Sequence, residues 1–452
     1  MSPTSQLSDT EAIMWAAERD PALGSAFMSV TLLDGPVDID RFTHRIAGAV
    51  AGVDRMRQRI ESAPFGARSM WKDDPEFDLG RHVRREALDN ADDRALLDHA
   101  GKFLSAQFDH AHPLWQLTIV EGLTEGRSAL LAKFHHTVTD GVGGVRLSAS
   151  FLDLSPDEQP VRAAPDPTID EAEAAGTGGI VGFISDLNDN AREALRRPIE
   201  LGQAVIDTFR GDPVGNVRST VEQMVVTEKG HSPIWVGKRS PDRHLDIHRV
   251  SLDDVKSSAR KLGGTVNDLF VTAVVGAVGQ YHRKRDVGVD QFRVSIPLST
   301  RHDKSVGGNA FVPARVLLDA SPDPLARFAS ITARLNDVKT ARSPGLGLAL
   351  AGLFTSLPSP LLVAVARTQI ETVDFACSNV RGAPFPLYVS GARVLANHPM
   401  GPTGGTAANA TVLSNDGWLD LGLVTDPAAV DAPEQLRDFI VDELEELIAL
   451  GS

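Results

Sequence analysis

The sequence predicts an α/β fold with more than one domain, and two observations support this prediction. In the first third of the chain, runs with strand character alternate with runs of helical periodicity, as they do in α/β proteins. The chain has 452 residues, which at about 150 residues per domain suggests two or three domains. Hydrophobic residues make up 42% and charged residues 23%, an ordinary globular composition that can bury a large core.

The first elements are the clearest. Ala26–Leu33 is predicted as a strand, and residues 39–53 as a helix with Asp40 near its start and apolar positions at helical spacing. Residues 128–136 are predicted as a second strand, followed by a helix over residues 142–154. These elements place the chemically informative residues between a strand and a helix.

A change of composition divides the chain. Residues 155–179 are rich in Pro, Ala, Gly and acidic residues, which is typical of a linker, and helical segments follow it. We therefore predict an N-terminal domain over residues 1–154, a linker with connecting helices over 155–217, and a C-terminal domain over 218–452.

The second half also mixes helices and strands. Helices are predicted over residues 250–262, 266–282 and 434–450, and strands over 292–297 and 314–318. In the last helix the acidic residues are expected to face away from one apolar stripe, which consists of Leu436, Ile440, Leu444 and Leu447.

Charge and cysteine content exclude several classes of partner and site. The net charge of −15 argues against nucleic acid and against strong attraction to an anionic membrane, so an anionic ligand needs a local basic group. Cys377 is the single cysteine, which rules out an internal disulfide and a cysteine zinc site. With no signal-peptide pattern at the N-terminus, a cytoplasmic location is expected.

The most apolar region spans residues 345–366. It contains Pro358 and Pro360, so buried helices are a better prediction than a membrane-spanning helix. The alternative is that these residues form an exposed apolar surface that contacts a membrane or a lipid droplet.

The sequence between the predicted strand and helix reads His135-His136-Thr137-Val138-Thr139-Asp140-Gly141, the pattern HHxxxDG. Neighbouring strand residues point to opposite faces, so the two histidines diverge and only one faces a given pocket. Strict alternation places His136 with Leu130, Ala132 and Phe134, and His135 with Leu131 and Lys133. Alternation alone does not decide which face meets a substrate.

A neutral histidine can take the proton of a hydroxyl group as that group attacks a reactive ester. A thioester is reactive enough that one positioned base suffices, together with a hydrogen-bond donor for the developing oxyanion. The alternative is that both histidines are ordinary packed residues. Asp140 either holds the base or, more in keeping with its turn position, pairs with an arginine such as Arg301. Gly141 allows a close backbone approach.

Other chemistry is not indicated. The sequence has no Gly-x-Ser-x-Gly elbow, no His-Glu-x-x-His metal site and no Walker A loop. The glycine-rich segment over residues 401–405 lacks the phosphate-binding lysine and is predicted to be a turn. We therefore expect neither a metal nor a cofactor.

Several segments, taken in order, resemble the bacterial wax ester synthase/diacylglycerol acyltransferase family over nearly the whole chain. The pattern HHxxxDG alone is shared more widely, by coenzyme A-dependent acyltransferases and by peptide-synthetase condensation domains. The segments that narrow the resemblance are Trp71-Lys72-Asp73-Asp74-Pro75 with Phe77-Asp78 and His82-Val83, His112-Pro113-Leu114-Trp115, Val266-Asn267-Asp268, Ser378-Asn379-Val380 and Met400-Gly401-Pro402.

This resemblance implies two chloramphenicol-acetyltransferase-like domains, each a mixed sheet flanked by helices, with a substrate tunnel at their interface. It assigns His136 as the general base, places His135 and Asp140 with it as catalytic candidates of the motif, and makes Asp140 mainly architectural. With Gly141, it places Asn267 and Asp268 near the substrate, although a helix cap explains that pair equally well. We expect Trp71, His82 and His112 to be structural.

The implied activity is transfer of a long-chain acyl group from acyl-CoA, as co-substrate, to diacylglycerol. A fatty alcohol acceptor giving a wax ester, a lipid-binding protein without turnover and a condensing enzyme with a carrier-protein donor are the alternatives. Two departures from the family pattern, Arg381 and Asn415, bear on acceptor preference. Peripheral lipid contact through residues 345–366 is expected, and both a monomer and a homodimer remain open.

Overall fold

A computed structural model describes residues 5–62, 69–139, 147–148, 151–157, 231–237, 239–299, 311–340 and 370–452. Some predictions lie outside these residues: those for Asp140, Gly141 and Arg301, for the apolar region over 345–366, and for nearly all of the predicted linker and its connecting helices.

Fifteen strands and eight α-helices are formed by the described residues. The strands are β1 (Ser5–Gln6), β2 (Ala26–Leu33), β3 (Gln58–Glu61), β4 (Met70–Asp73), β5 (Val83–Ala91), β6 (Trp115–Leu123), β7 (Ser128–His135), β8 (His244–Ser251), β9 (Gln291–Ser299), β10 (Phe311–Asp319), β11 (Phe375–Arg381), β12 (Tyr388–Val389), β13 (Ala392–Met400), β14 (Ala408–Asn415) and β15 (Trp418–Thr425). The helices are α1 (Asp9–Ala17), α2 (Ile39–Gly52), α3 (Leu79–His82), α4 (Asp93–Ser105), α5 (Leu252–Lys261), α6 (Val266–Arg283), α7 (Pro324–Thr340) and α8 (Pro433–Leu450).

Two six-stranded mixed sheets form the framework. The first has the order β12-β13-β2-β7-β6-β5 and the second the order β10-β9-β11-β14-β15-β8. In the first sheet β5 and β6 run parallel, and in the second β11 runs parallel to both β9 and β14. Helices pack against both sheets, so the predicted α/β class with mixed sheets is confirmed.

The strand β13 joins the two halves of the chain. It pairs antiparallel with β2, from Val394 opposite Leu33 to Met400 opposite Met28. It also meets the second sheet, because the Asn397 N–H donates to Asp420 Oδ2 at 2.8 Å. The first sheet therefore contains strands from residues 388–400, and the predicted domain bounds do not separate the two sheets.

Apolar packing lies on both faces of the central strand β7. Leu130 and Phe134 belong to a core shared with α2, whereas Leu131 belongs to a core shared with α4 and the second sheet. A further core surrounds α6, most of whose residues are buried. The period-2 alternation that the sequence predicted for this strand is therefore observed.

Most predicted elements are observed with shifted ends, and two need correction. Residues 151–154, predicted as the end of a helix, are not helical, and Asp153 forms a β-bridge with Tyr388. The acids of α8 do not all face away from the core, because Glu443 is buried and forms an ion pair with Arg327.

Within the described residues, no single helix is long and apolar enough to cross a membrane. In the same part of the chain, α5 and α6 reach that length and hydropathy when taken together, and they are bent by 91° relative to each other.

Candidate active site

His136 lies at the carboxyl end of the central strand β7. Its backbone N–H donates to Ser25 O at 3.1 Å, just before β2 begins. The His136 ring packs 4.8 Å from the ring of Phe27, which also stacks on Phe134 at 6.0 Å between centroids. The imidazole therefore lies on the Phe134 side of the strand, as alternation predicted.

The environment of His136 keeps its imidazole neutral. Its Nδ1 is shielded from solvent, and burial lowers the pKa of His136 to about 4, with a smaller contribution from the neighbouring His135. An unperturbed histidine titrates near ~6.5. At neutral pH this side chain is therefore in the form that accepts a proton.

The low pKa predicts an unusual acid limb of the pH profile. If His136 is the base, kcat/KM falls only as the pH drops through the pKa of about 4, because protonation removes the acceptor lone pair. Activity should therefore be level from about pH 8 down to about pH 5, where a histidine of ordinary pKa ~6.5 is already mostly protonated. Thiol release measured at constant ionic strength checks this, with circular dichroism at each pH as the control for folding. An acid limb centred near ~6.5 would contradict it.

His135 points to the opposite side of β7 and is held by hydrogen bonds at both ring nitrogens. Its Nδ1 accepts from the Thr137 N–H at 3.1 Å and lies 2.6 Å from Thr137 Oγ1. Its Nε2 lies 2.7 Å from Glu18 Oε1. Because a backbone N–H points at Nδ1, the proton resides on Nε2 and is donated to the carboxylate. These bonds fix the orientation of the His135 ring, and the predicted catalytic role of His135 stays a prediction.

Glu18 follows α1 and joins it to the motif. Its Oε1 also accepts from the Ser25 N–H at 2.7 Å, so one carboxylate oxygen holds both His135 and the residue whose carbonyl binds the His136 N–H. Burial raises the pKa of Glu18, but its contacts with His135 and the hydrogen bond from Ser25 lower it more, leaving it below its ordinary value. No pattern in the sequence marks Glu18 as part of the site, because it lies 117 positions before His135.

Removing the Glu18 carboxylate is expected to slow turnover without removing the base. Glu18→Ala deletes the acceptor for His135 and Ser25, so the histidine pair should lose its alignment and kcat should fall by roughly tenfold to hundredfold. Glu18→Gln keeps an acceptor oxygen and should retain most activity. Steady-state thiol release compares the two variants. Equal losses in both would show that charge, not alignment, matters.

Lys133 is fully buried on the His135 face of β7. Its ammonium donates to Phe103 O at 2.9 Å and also to Ala106 O, and it lies 4.5 Å from the ring centre of Phe108. Burial lowers the pKa of Lys133 to about 8. The lysine thus ties the C-terminal end of α4 to the strand that carries the motif.

The two candidate residues on α6 differ in what surrounds them. Asp268 Oδ2 accepts from Thr265 N–H at 2.9 Å and from Thr265 Oγ1 at 2.7 Å, and Thr265 Oγ1 accepts from the Asp268 N–H. In this reciprocal capping box Thr265 is the N-cap of α6 and Asp268 is its third residue, so the Asp268 side chain helps to start the helix. Asn267 is half-buried beside it. Substrate roles for Asn267, Asp268 and Gly141 stay predictions.

The aromatic residues of the early motifs are packed, as expected. The His82 ring stacks on Trp115 at 4.4 Å, and its Nδ1–H donates to Trp115 O at 2.8 Å. Trp71 is fully buried. His112 Nδ1 bonds Asp74 Oδ2 at 2.8 Å, so it braces the WKDDP segment. Packing or hydrogen bonds therefore hold all three residues in place.

The two departures from the family pattern lie at the same end of the second sheet. Arg381 ends β11 opposite Ser414 of β14, and Asn415 is the next residue of β14. Arg381 is exposed, whereas Asn415 is buried beside a tight turn at Asp416 and Gly417. Their predicted influence on acceptor preference stays a prediction.

Among the residues that the structure describes, no cluster of three or more His, Cys, Asp or Glu side chains could hold a metal ion. The expectation that the reaction needs no cofactor stays a prediction.

The family models that match this chain both describe one family. Residues 7–270 match the family model for the wax ester synthase/diacylglycerol acyltransferase catalytic domain, and residues 308–448 match that for the C-terminal domain of the same family. A Mycobacterium tuberculosis protein provisionally named diacylglycerol O-acyltransferase is 28% identical over 99% of this chain and 92% of its own length. A second M. tuberculosis protein with that provisional name is 28% identical over 91% of both chains.

Solved structures show the same fold. The wax ester synthase/diacylglycerol acyltransferase from Marinobacter aquaeolei VT8 superposes with a TM-score of 0.67 at 20% identity, covering 99% of this chain and 100% of that one. The first condensation domain of the calcium-dependent antibiotic synthetase superposes with a TM-score of 0.65 at 14% identity, covering 100% of this chain and 96% of that one. The predicted two-domain, chloramphenicol-acetyltransferase-like fold is thereby confirmed.

Proposed function

The chain belongs to the wax ester synthase/diacylglycerol acyltransferase family, and we propose that it transfers a long-chain acyl group to diacylglycerol with His136 as the general base. Family membership makes the protein an acyl-CoA-dependent O-acyltransferase. The acceptor and the base are the proposal. The observation that carries it is a neutral imidazole at the end of β7, in the position of the second motif histidine.

The proposed reaction needs one proton acceptor that later becomes a donor. His136 takes the hydroxyl proton of the acceptor as its oxygen attacks the thioester carbon, which gives a tetrahedral oxyanion and an imidazolium. Collapse of the oxyanion breaks the carbon–sulfur bond, and the imidazolium returns its proton to the thiolate of coenzyme A. Burial disfavours the charged imidazolium, so the second proton transfer is favourable.

The names of the relatives favour diacylglycerol as the acceptor. Both M. tuberculosis relatives carry provisional names for diacylglycerol acylation. The family description includes wax ester synthesis as well, and a fatty alcohol presents the same hydroxyl chemistry. Acceptor choice is therefore the part of the proposal that most needs an experiment.

The test supplies the purified protein with palmitoyl-CoA and either dioleoylglycerol or hexadecanol. Thiol release reports turnover, and lipid chromatography identifies the product. We expect triacylglycerol as the main product. If wax ester is the only product, the acceptor is a fatty alcohol and not diacylglycerol. If neither acceptor leads to thiol release, the result favours a lipid-binding protein without turnover. Peripheral contact with the lipid phase stays a prediction, and flotation of the protein with liposomes checks it.

A further inference from the structure

Three aromatic side chains lie in a row across the first sheet, and the row ends at His136. Trp115 of β6 is directly opposite Phe134 of β7, and Phe134 is directly opposite Phe27 of β2. The Phe27 and Phe134 rings stack at 6.0 Å between centroids with 29° between their planes, and the Phe27 ring lies 4.8 Å from the His136 ring. Trp115, Phe134 and Phe27 are called the aromatic row below.

The inner end of the aromatic row is held by the core. Trp115 is fully buried, and its indole N–H donates to Met56 O at 2.9 Å. Phe134 is 3% exposed and belongs to the same apolar core, against which Phe27 packs. Large aromatic side chains that face each other across neighbouring strands stabilise the sheet and restrict each other's movement. The aromatic row therefore gives the His136 ring a rigid neighbour.

The main chain of His136 is fixed by a hydrogen bond, but its ring needs a further contact. The bond from the His136 N–H to Ser25 O positions the backbone. The last torsion of a histidine side chain has broad minima, so the backbone alone does not set the orientation of the imidazole. Hydrogen bonds at both ring nitrogens orient the His135 ring. For His136, the Phe27 ring, which is tilted by 49° to the imidazole plane, restricts rotation on one side.

Phe27 also forms the border between the core and the end of the strand. It is half-buried, as is the neighbouring Ser25. Its ring therefore separates the His136 imidazole from solvent on the β2 side. Water in place of this ring would stabilise the charged imidazolium, which burial disfavours. One side chain thus limits the rotation of the imidazole and keeps water away from it.

The charges around His136 do not involve Phe27. Of the described residues, only His135 adds a charge effect to the effect of burial on the pKa of His136. His135 lies on the opposite face of β7 with its partner Glu18 and with Lys133. The side chains that pack on the His136 face from β2, β7 and β6 are aromatic and do not titrate. A change at Phe27 therefore alters shielding and orientation without altering charge.

We propose that Phe27 is a positioning residue for the reaction, because its ring holds the His136 imidazole in the orientation that accepts the hydroxyl proton and excludes water from it. This inference rests on the proposed function, since Phe27 has this role only if His136 is the base. Phe27 is assigned no contact with the reacting atoms. Its effect is therefore expected in kcat and in the titration of His136, and not in KM for acyl-CoA.

The first test measures thiol release from palmitoyl-CoA with dioleoylglycerol. Phe27→Ala should lower kcat roughly tenfold to hundredfold and leave KM nearly unchanged, because a small misplacement of a catalytic group is costly in the transition state. Phe27→Leu keeps a bulky apolar side chain and should restore kcat to within about threefold of the unmodified chain.

The matched control is Phe77→Ala. Phe77 is also half-buried, packs against the same core, and stacks at 5.3 Å on His82, a histidine outside the motif. Its loss should lower stability and leave kcat unchanged. Circular dichroism verifies folding. Phe27→Val, whose side chain suits a strand, replaces Phe27→Ala if the alanine variant is unfolded.

The second test needs no turnover. In protein labelled with 13C in the histidine rings, the signal that is lost in His136→Ala identifies His136, and its titration gives the pKa. Phe27→Ala should raise this pKa from about 4 towards the ordinary value of about 6.5. Phe27→Leu and Phe77→Ala should leave it in place. The acid limb of kcat/KM should move with the pKa.

The two tests separate this inference from the proposed function. If turnover depends on His136 but Phe27→Ala equals Phe77→Ala in both kcat and the pKa of His136, the inference is wrong and the base stands. If Phe27→Ala raises the pKa but even the unmodified chain transfers no acyl group, Phe27 shields His136 and the proposed function is wrong. A lower kcat together with a raised pKa, both reversed in Phe27→Leu, is the expected result.

Discussion

Replacing His136 with alanine is expected to lower kcat by about 10²–10⁴-fold, the range that a positioned general base contributes. The imidazole lies at the strand end, is neutral at physiological pH because burial lowers its pKa to about 4, and contacts Phe27. Alanine removes the proton acceptor but leaves the backbone bond to Ser25, so the strand pairing should persist. Thiol release from palmitoyl-CoA with diacylglycerol measures the loss.

The matched control is His99→Ala. His99 lies on α4, and its partly exposed side chain contacts Glu86. Because it is not part of the motif, its loss should leave kcat within about twofold, as for most surface substitutions. Circular dichroism and thermal melting verify that both variants are folded. Retention of full turnover by His136→Ala would remove the base from the proposal while leaving the family and the fold intact.

The part of the site that the sequence predicted is local in the chain. The alternation of side chains along residues 128–136 separated His135 from His136, and the structure places them on opposite faces of β7. The helix-cap alternative for Asp268 also follows from a local pattern, since Thr265 lies three residues earlier. Such inferences succeed because the interacting groups are joined by a few covalent bonds.

The part that the sequence did not predict is assembled across long separations. Glu18 bonds to His135 over 117 residues, and Arg41 bonds to Asp153 over 112 residues. A single glutamate or arginine in a sequence does not indicate which distant residue it will contact. Strand β13 comes from the second half of the chain but pairs with β2 in the first sheet, so bounds drawn along the sequence do not coincide with the sheets. Composition can indicate a linker, but it does not show which sheet a strand joins.

Asp153 illustrates how strongly such a long-range contact can hold the site. It is completely buried, forms an ion pair with Arg41 Nη2 at 2.6 Å and another with Arg45, and accepts from the Ser390 N–H at 3.1 Å. It therefore ties the chain that follows the HHxxxDG motif to α2 and to the segment between β12 and β13. Neither its burial nor its partners is visible in the local sequence.

Asp153→Ala is accordingly expected to destabilise the protein by about 3–5 kcal/mol, because it leaves two largely buried guanidinium groups without their carboxylate. Asp153→Asn keeps an acceptor for Ser390 and should cost less, and Asp157→Ala, an exposed neighbour, should cost less than about 0.5 kcal/mol. Urea unfolding followed by circular dichroism gives the midpoints. We expect the midpoint to rise in the order Asp153→Ala, Asp153→Asn, Asp157→Ala. Equal midpoints for Asp153→Ala and Asp157→Ala would contradict this prediction and would mean that water replaces the carboxylate at no cost.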